Sequence, residues 1–331
     1  MDRINSIRAT FDIFKQSGVI EVRSMNSRNK TFSGYYKDRE RLFNDLMSND
    51  DKTWYFVMND IDDACYSREQ CEKILPYAKQ TTKDKEIKKI RWILIDSDPV
   101  RPTGVSSTDA EKKKALEKTG EVYTYLRKEG FSEPVVCDSG NGYHLLYSVF
   151  ISPSDSEYVK KFLLALDMMF SDEFVEIDTT VFNPARITKV YGTIARKGAN
   201  TKERPHRASC IKRIPAEINP TPLALIQKIG SLIPEPEKPT WKNNYSEKFD
   251  IDSFIAKNGI QVAKQVERGG DRKIVLECCP FDENHKSPDA AIFVRANGAI
   301  GFKCFHNSCR DKTWKDVREH FDPMCYQRQQ E

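Results

Sequence analysis

Apolar and polar residues alternate in blocks along this chain, and the clearest block is Ile90-Arg91-Trp92-Ile93-Leu94-Ile95. A run so rich in β-branched and aromatic residues predicts a buried strand. Asp96-Ser97-Asp98 ends it, and side chains alternate with a period of two, so both carboxylates leave the strand on one side. Upstream, a helical start precedes two alternating segments, Gly18–Arg23 and Thr31–Tyr36, which predict a hairpin around the polar turn Asn26-Ser27-Arg28-Asn29. Trp54–Met58 predicts a further strand. Downstream, a helix runs from about Thr108 to Glu129, with Thr108 and Glu111 spaced as a capping box and Gly130 as the stop. Pro134–Asp138 and Tyr143–Val149 predict strands joined by Ser139-Gly140-Asn141-Gly142, and Asn-Gly is a strong hairpin signal because both positions tolerate positive φ. Residues 155 to 170 predict a second helix with an apolar face. The order β-α-β-β-α-β predicts an α+β sheet with its helices on one side.

The pattern breaks near Pro234-Glu235-Pro236-Glu237-Lys238-Pro239, a proline- and charge-rich run that cannot build a core. It divides the chain into a large domain over residues 1–215, a proline-rich linker over 216–249 and a small domain over 250–331. Residues 250 to 267 predict a helix, and a cysteine-rich segment follows.

At 331 residues the chain is long enough for one large and one small domain. The net charge of +4 permits nucleic-acid binding without demanding it. No apolar stretch approaches the ~20 residues that span a bilayer. The N-terminus lacks the apolar core of a secretory signal, so no membrane partner is expected. Nine cysteines is an odd count, and Cys278, Cys279, Cys304 and Cys309 crowd one segment, which favours a metal site in a reducing cytoplasm over a disulfide framework.

Two carboxylates on one strand face repel each other unless a cation neutralises them, and hard oxygen ligands suit magnesium or manganese. Asp178 closes the short apolar stretch Phe174–Ile177 and supplies a third carboxylate. The glycines beside Ser139 would let a phosphate approach main-chain N–H groups, and His144 could donate a hydrogen bond to it. Arg186, Lys189, Arg196 and Lys197 follow, interleaved with Ile187, Val190 and Tyr191, at a spacing suited to a triphosphate or a nucleic-acid backbone. The run Lys202, Arg204, Arg207, Lys212 and Arg213 extends that basic character, although such a run is more often a solvated face.

Cys279-x5-His285 and Cys304-x4-Cys309 form two ligand pairs that fit a tetrahedral structural zinc site, with His306 or Cys278 as substitute ligands. The segments Ile292–Val294 and Ala299–Phe302, around Asn297-Gly298, predict a hairpin between the pairs. So small a unit lacks the core to fold without such a staple. Lys286, Arg295, Lys303, Arg310 and Lys312 surround it, consistent with contact to a template or nucleotide.

Ile95-Asp96-Ser97-Asp98, then Asp138-Ser139-Gly140-Asn141-Gly142-Tyr143-His144, then Ile177-Asp178, resemble in order the three motifs of archaeo-eukaryotic-type primases. The likeness is to the primase–polymerases of phages, plasmids and other mobile elements, and covers about residues 15 to 215. Asp98 stands where many relatives carry Glu, and either carboxylate can ligate. The resemblance implies an RNA-recognition-motif-like core with an added N-terminal α/β unit, followed by a small C-terminal zinc-binding domain. It implies that Asp96, Asp98 and Asp178 bind two Mg2+ or Mn2+ ions. Ser139, His144 and Arg186 would hold the incoming triphosphate, with Asn141, Lys189 and Lys197 counted to the same nucleotide site. The implied activity is synthesis of primers on single-stranded DNA from NTPs or dNTPs, and extension as a polymerase. The alternative is a non-catalytic, single-strand-binding replication initiator. The chain carries no Gly-x4-Gly-Lys-Ser/Thr loop, so unwinding would come from a helicase partner or fused domain.

Overall fold

The computed structural model describes residues 3–15, 18–25, 30–233, 249–309 and 311–325. The expected turn at 26–29, the proline-rich run at 234–239 and Arg310 lie outside them. The chain is mixed α+β and divides into two units, Met1–Ser231 and Leu232–Glu331.

The first unit opens with α1 (Arg3–Phe14), β1 (Ile20–Met25), β2 (Thr31–Tyr36), α2 (Arg39–Ser48), β3 (Tyr55–Val57) and β4 (Asp60–Ile61). The six-element core follows: β5 (Ile87–Pro99), α3 (Asp109–Lys128), β6 (Val135–Asp138), β7 (Tyr143–Ile151), α4 (Ser156–Phe170) and β8 (Val175–Ile177). Then come β9 (Ile187–Lys189), β10 (Ile194–Ala195), β11 (Arg207–Ala208), β12 (Cys210–Arg213) and α5 (Leu223–Gly230). One sheet has the order β12-β6-β7-β5-β4, with β8 paired to the far end of β5, and all its ladders are antiparallel. A second sheet has the order β2-β1-β3-β9. Within the core, β6-β7-β5-β8 is therefore the strand order of the β-α-β-β-α-β unit.

Local chemistry accounts for α3. Thr108 and Glu111 exchange both capping-box hydrogen bonds, and Gly130, at φ +90°, takes the left-handed conformation that ends the helix. The same helix covers one face of the sheet: Ala115 packs with Tyr143 and Val175, which stand opposite Ser97 and Pro99. Helix α1 covers the other face. Its Phe14 touches Phe56 of β3, Trp92 of β5 and Tyr191, with ring centroids 5.8, 4.7 and 6.0 Å away. Each such aromatic, fully buried, contributes about 1.5–3 kcal/mol. Along that face β5 reads Trp92 and Leu94, both buried, then Asp96 and Asp98, both half-exposed, so the apolar cover ends where the acids begin.

Three expectations need correction. Residues 223–230, assigned to the linker, form α5, whose buried Ile226 and Ile229 pack with α4 inside the first unit. An octapeptide that apolar contributes more by docking than by remaining in a linker. The strand β5 does not end at Asp98 but runs on through Pro99, because β8 pairs with Ser97, Asp98 and Pro99. The predicted helix over 250–267 is a short helix followed by a strand, described next.

The second unit comprises α6 (Ile251–Lys257), β13 (Val262–Arg268), β14 (Asp271–Leu276), β15 (Cys278–Cys279), β16 (Asp282–Lys286), β17 (Ala290–Val294), β18 (Ile300–Cys304) and α7 (Trp314–Phe321). Gly259, at φ +63°, stops α6, and β13 is an exposed edge strand whose polar residues imitate a helix surface in the sequence. The sheet β13-β14-β17-β18 is antiparallel, with the expected hairpin at Asn297-Gly298 and Gly298 at φ +87°. Its core joins Ile274, Leu276, Ile292, Trp314 and Val317 to Cys279, Cys304 and Cys309. Among the described residues no helix is long and apolar enough to cross a membrane.

Candidate functional site

Antiparallel register assembles the acidic site. Asp96 on β5 stands opposite His144 on β7. On the other edge of β5, Asp98 stands opposite Glu176, and the Asp178 N–H donates to the Asp96 carbonyl at 3.0 Å. Directly opposed residues share a sheet face, so Asp96, Asp98, Glu176, Asp178 and His144 belong to one face. Sequence reading chose Asp178 and missed Glu176, which the two-residue spacing of Glu176-Ile177-Asp178 would have exposed.

His144 is buried; its Nε2 lies 3.5 Å from Asp96 Oδ1 and its Nδ1 lies 2.7 Å from the Tyr191 hydroxyl. Burial pushes the Asp96 carboxyl up, but the His144 imidazole, then Lys189 and Lys197, outweigh it and hold Asp96 below the usual carboxylate range. Burial and then the Asp96 charge push Asp98 up, against Arg101, whose guanidinium lies 3.0 Å from Asp98 Oδ1. Asp96 Oδ1 is buried and accepts no hydrogen bond. An anionic oxygen in that condition, in a set of hard carboxylates, fits a divalent cation. The carboxylates are not drawn into a closed cage, however: Asp178 Oδ1 accepts from Thr180 N–H at 2.7 Å, and Asp98 is turned to Arg101.

The cations divide into two groups. Arg186 is half-buried with its Nε unpartnered and its terminal nitrogen donating to the Thr180 carbonyl. Burial lowers its pKa against the carboxylates of Asp178, Asp84 and Asp96, which places it beside the acids. Lys189 donates to the Tyr55 hydroxyl at 3.1 Å and, like the exposed Lys197, acts on Asp96. By contrast, Arg204 binds both Glu111 oxygens, at 2.9 and 2.8 Å, and Arg207 holds Asp109 at 2.6 Å and the Ser107 carbonyl at 2.7 Å. Arg213 pairs with Glu133 at 2.9 Å. These three cations fasten the start of α3 and the segment after it to the later chain, so they are held in ion pairs and are neither an extension of the basic site nor a merely solvated face.

The loop Ser139–Gly142 also departs from expectation. It is buried rather than exposed, and only Gly140 takes positive φ, at +93°. The Asn141 side chain is drawn inward instead, its Oδ1 accepting from Ser107 N–H at 2.9 Å. Ser139 Oγ accepts from Gly142 N–H at 2.9 Å. The glycines face protein, not an open phosphate seat: a Cβ on Gly140 would strike Ala195, and one on Gly142 would strike the Ser97 carbonyl and lie 3.1 Å from Asp98 Oδ1. The loop therefore presses against the acidic strand, and Ser139 and Asn141 build it.

In the second unit Cys279, His285, Cys304 and Cys309 are all buried, with their ligand atoms within 4.8 Å of one another. His285 Nδ1 lies 3.5 Å from the sulfurs of both Cys304 and Cys309, and Cys279 Sγ lies 3.8 Å from Cys309 Sγ. This Cys3His group could hold a zinc ion. The outer His285 nitrogen, Nε2, lies 3.2 Å from Asp282, the partner that orients a ligating imidazole. Burial pushes Cys279 up to about 12 and raises Cys304, a cost that a metal would remove by taking the thiolates. The substitutes do not join: His306 stacks on His285 at 3.8 Å and bonds Asp289 at 2.8 Å, while Cys278 lies outside the four. Of the basic residues near it, Arg295 pairs with Asp271 at 3.1 Å and Lys303 is buried.

No family model matches the chain, and no curated protein matches it. Among solved structures it is similar to one described as the crystal structure of primase RepB', at 11% identity and a TM-score of 0.39. The match covers 69% of this chain and 62% of that one.

Proposed function

We propose that the first unit is a DNA-dependent nucleotidyltransferase that starts primers on single-stranded DNA and extends them, built on an RNA-recognition-motif-like core. The observation that carries this reading is the register that sets Asp96 between His144 and Asp178, with Asp98 one pleat further along the same face. Three motifs far apart in sequence thereby meet at one place. The strand order β6-β7-β5-β8 supports the core assignment.

In this reading Asp96, Asp98 and Asp178 hold two Mg2+ or Mn2+ ions, and Asp96 Oδ1, which accepts no hydrogen bond and has His144 Nε2 standing off at 3.5 Å, is a ready ligand. When bound, such ions acidify the attacking 3′-hydroxyl and neutralise the departing pyrophosphate. His144, Arg186, Lys189 and Lys197 supply positive charge and donors to the triphosphate. Ser139 and Asn141 act by shaping the loop that supports His144. NTPs or dNTPs are the substrates, a zinc ion staples the second unit, and a helicase is the expected partner.

The test is incorporation of labelled nucleotides on unprimed single-stranded DNA with Mg2+ or Mn2+. Wild-type protein should incorporate, and Asp96→Ala should lose at least ~100-fold, the scale of lost electrostatic stabilisation. Tight strand binding without incorporation would favour a non-catalytic initiator. Near-normal synthesis by Asp96→Ala would reject the site.

A further inference from the structure

About 13 Å along β5 from Asp96, at ~3.3 Å per residue, Trp92 lines a cavity of about 240 Å3 that the nucleotide reading does not use. Phe14, Lys15, Asp60, Arg91 and Ser148 line it as well. One water takes up ~30 Å3 in the liquid, so the cavity has room for a small molecule.

Its chemistry is set by Lys15, which is only 3% exposed. The ammonium donates to the Asn59 carbonyl at 2.6 Å, and among the described residues no carboxylate lies within ion-pair distance of it. Asn59 cannot give more, because its side chain already donates to the Pro184 carbonyl at 2.8 Å and accepts from the N–H groups of Arg91 and Trp92. A lysine has three donors, and a buried charge without a counter-ion is costly. Arg91 is the second cation. Its Nε binds Asp60 at 2.7 Å and its guanidinium lies over Phe150, which leaves its terminal nitrogens without a protein acceptor among the described residues. One carboxylate against two cations leaves the lining net positive.

We propose that this cavity is a binding site for a small anion carrying a phosphate or carboxylate group, anchored by Lys15 with Arg91 as the second donor. Trp92 and Phe14 would receive the apolar part of such a molecule. Burial pushes the Lys15 ammonium down to about 8, and a bound anion would oppose that shift and favour the charged form.

The test uses the full chain, with inorganic phosphate and acetate as separate probes at ionic strength matched with chloride. Thermal stability is followed as each anion is titrated. Either anion should give a saturable rise in midpoint beyond chloride. A response to phosphate over acetate assigns a phosphoryl ligand, and the reverse assigns a carboxylate. Lys15→Met should weaken the response at least tenfold, and Arg91→Ala, a surface change that leaves the fold intact, severalfold. Arg186→Ala should retain it, which separates this cavity from the candidate triphosphate site. No response in wild-type protein, a full response in Arg91→Ala, or loss only in Arg186→Ala would overturn the proposal.

Discussion

His144 is held from both sides: Tyr191 touches its Nδ1 at 2.7 Å, and Asp96 Oδ1 lies 3.5 Å from its Nε2. Burial pushes the Tyr191 hydroxyl well above its ordinary value, so it stays protonated and can donate to Nδ1. That donation would leave the imidazole proton on Nε2, facing Asp96 and whatever the carboxylate binds. The pair is thus an orienting device whose two halves come from β7 and the segment after β9.

Replacing Tyr191 with Phe should remove the orienting bond while keeping the ring that packs on Phe14. Loss of one buried hydrogen bond should cost about 1 kcal/mol of stability. Nucleotide incorporation should fall about tenfold or more, the range of an outer-partner loss at a charged site. Kinetics beside a denaturation curve would check this. A stability loss with unchanged incorporation would make Tyr191 a packing residue only.

Gly142→Ala should disturb Asp98 directly. The new Cβ would press on the Ser97 carbonyl and lie 3.2 Å from the Asp98 Cα, both of them backbone atoms that cannot swing aside. Overpacking of this kind costs about 1–3 kcal/mol. Incorporation should drop further than the stability loss explains, because the displaced strand carries two of the three acids. Gly18→Ala is the control: no atom lies within 4 Å of its Cβ, but φ is +81°, so it reports backbone strain without a clash.

Much of this site was legible from the chain because it depends on local chemistry. The Asp96–Asp98 spacing, the Thr108–Glu111 box and the Cys279–His285 and Cys304–Cys309 pairs each act within a few residues. What escaped depends on partners distant in sequence. Glu176 matters through its register with Asp98, and Lys15 through a carbonyl 44 positions away. Arg204 and Arg207 read as solvated cations because Glu111 and Asp109 lie about a hundred residues earlier. The Asn-Gly signal found the β6–β7 hairpin but not its backbone, for a related reason: Ser107 captures the Asn141 side chain, and the positive φ falls at Gly140 instead.

Lys15 gives a prediction with a defined sign. Its folded-state pKa is about 8, lowered by burial from 10.5, with Asp60 and Glu21 opposing and Arg91 and Lys88 adding. Below pH 8 both folded and unfolded chains carry the proton and the full burial cost applies. Between pH 8 and 10.5 only the unfolded chain keeps it, so this lysine's contribution to stability rises with pH, by about 3 kcal/mol across the window. Lys15→Met removes that cost, so its stability relative to wild type should decline as pH rises from 8 to 10. Tyrosine titrations common to both proteins cancel in the difference. Denaturant unfolding of both proteins at several pH values checks it, and a flat difference would rule it out.

The Cys3His group should behave as a staple for the second unit. Metal analysis should find about one zinc per chain, and Cys304→Ser or Cys309→Ser should abolish it. Because those sulfurs belong to the same core as Ile274, Trp314 and Val317, their loss should unfold the unit while the first unit melts unchanged. The consequence for synthesis follows from entropy. Making the first bond requires two free nucleotides on the template at once, whereas extension holds one against a paired primer. A tethered unit adds binding surface at high local concentration. Chains carrying Cys304→Ser, or lacking residues 235 to 331, should therefore lose initiation and retain most extension of a supplied primer. If the truncated chain initiates as well as the intact one, the zinc unit serves as a docking element or a general template clamp instead.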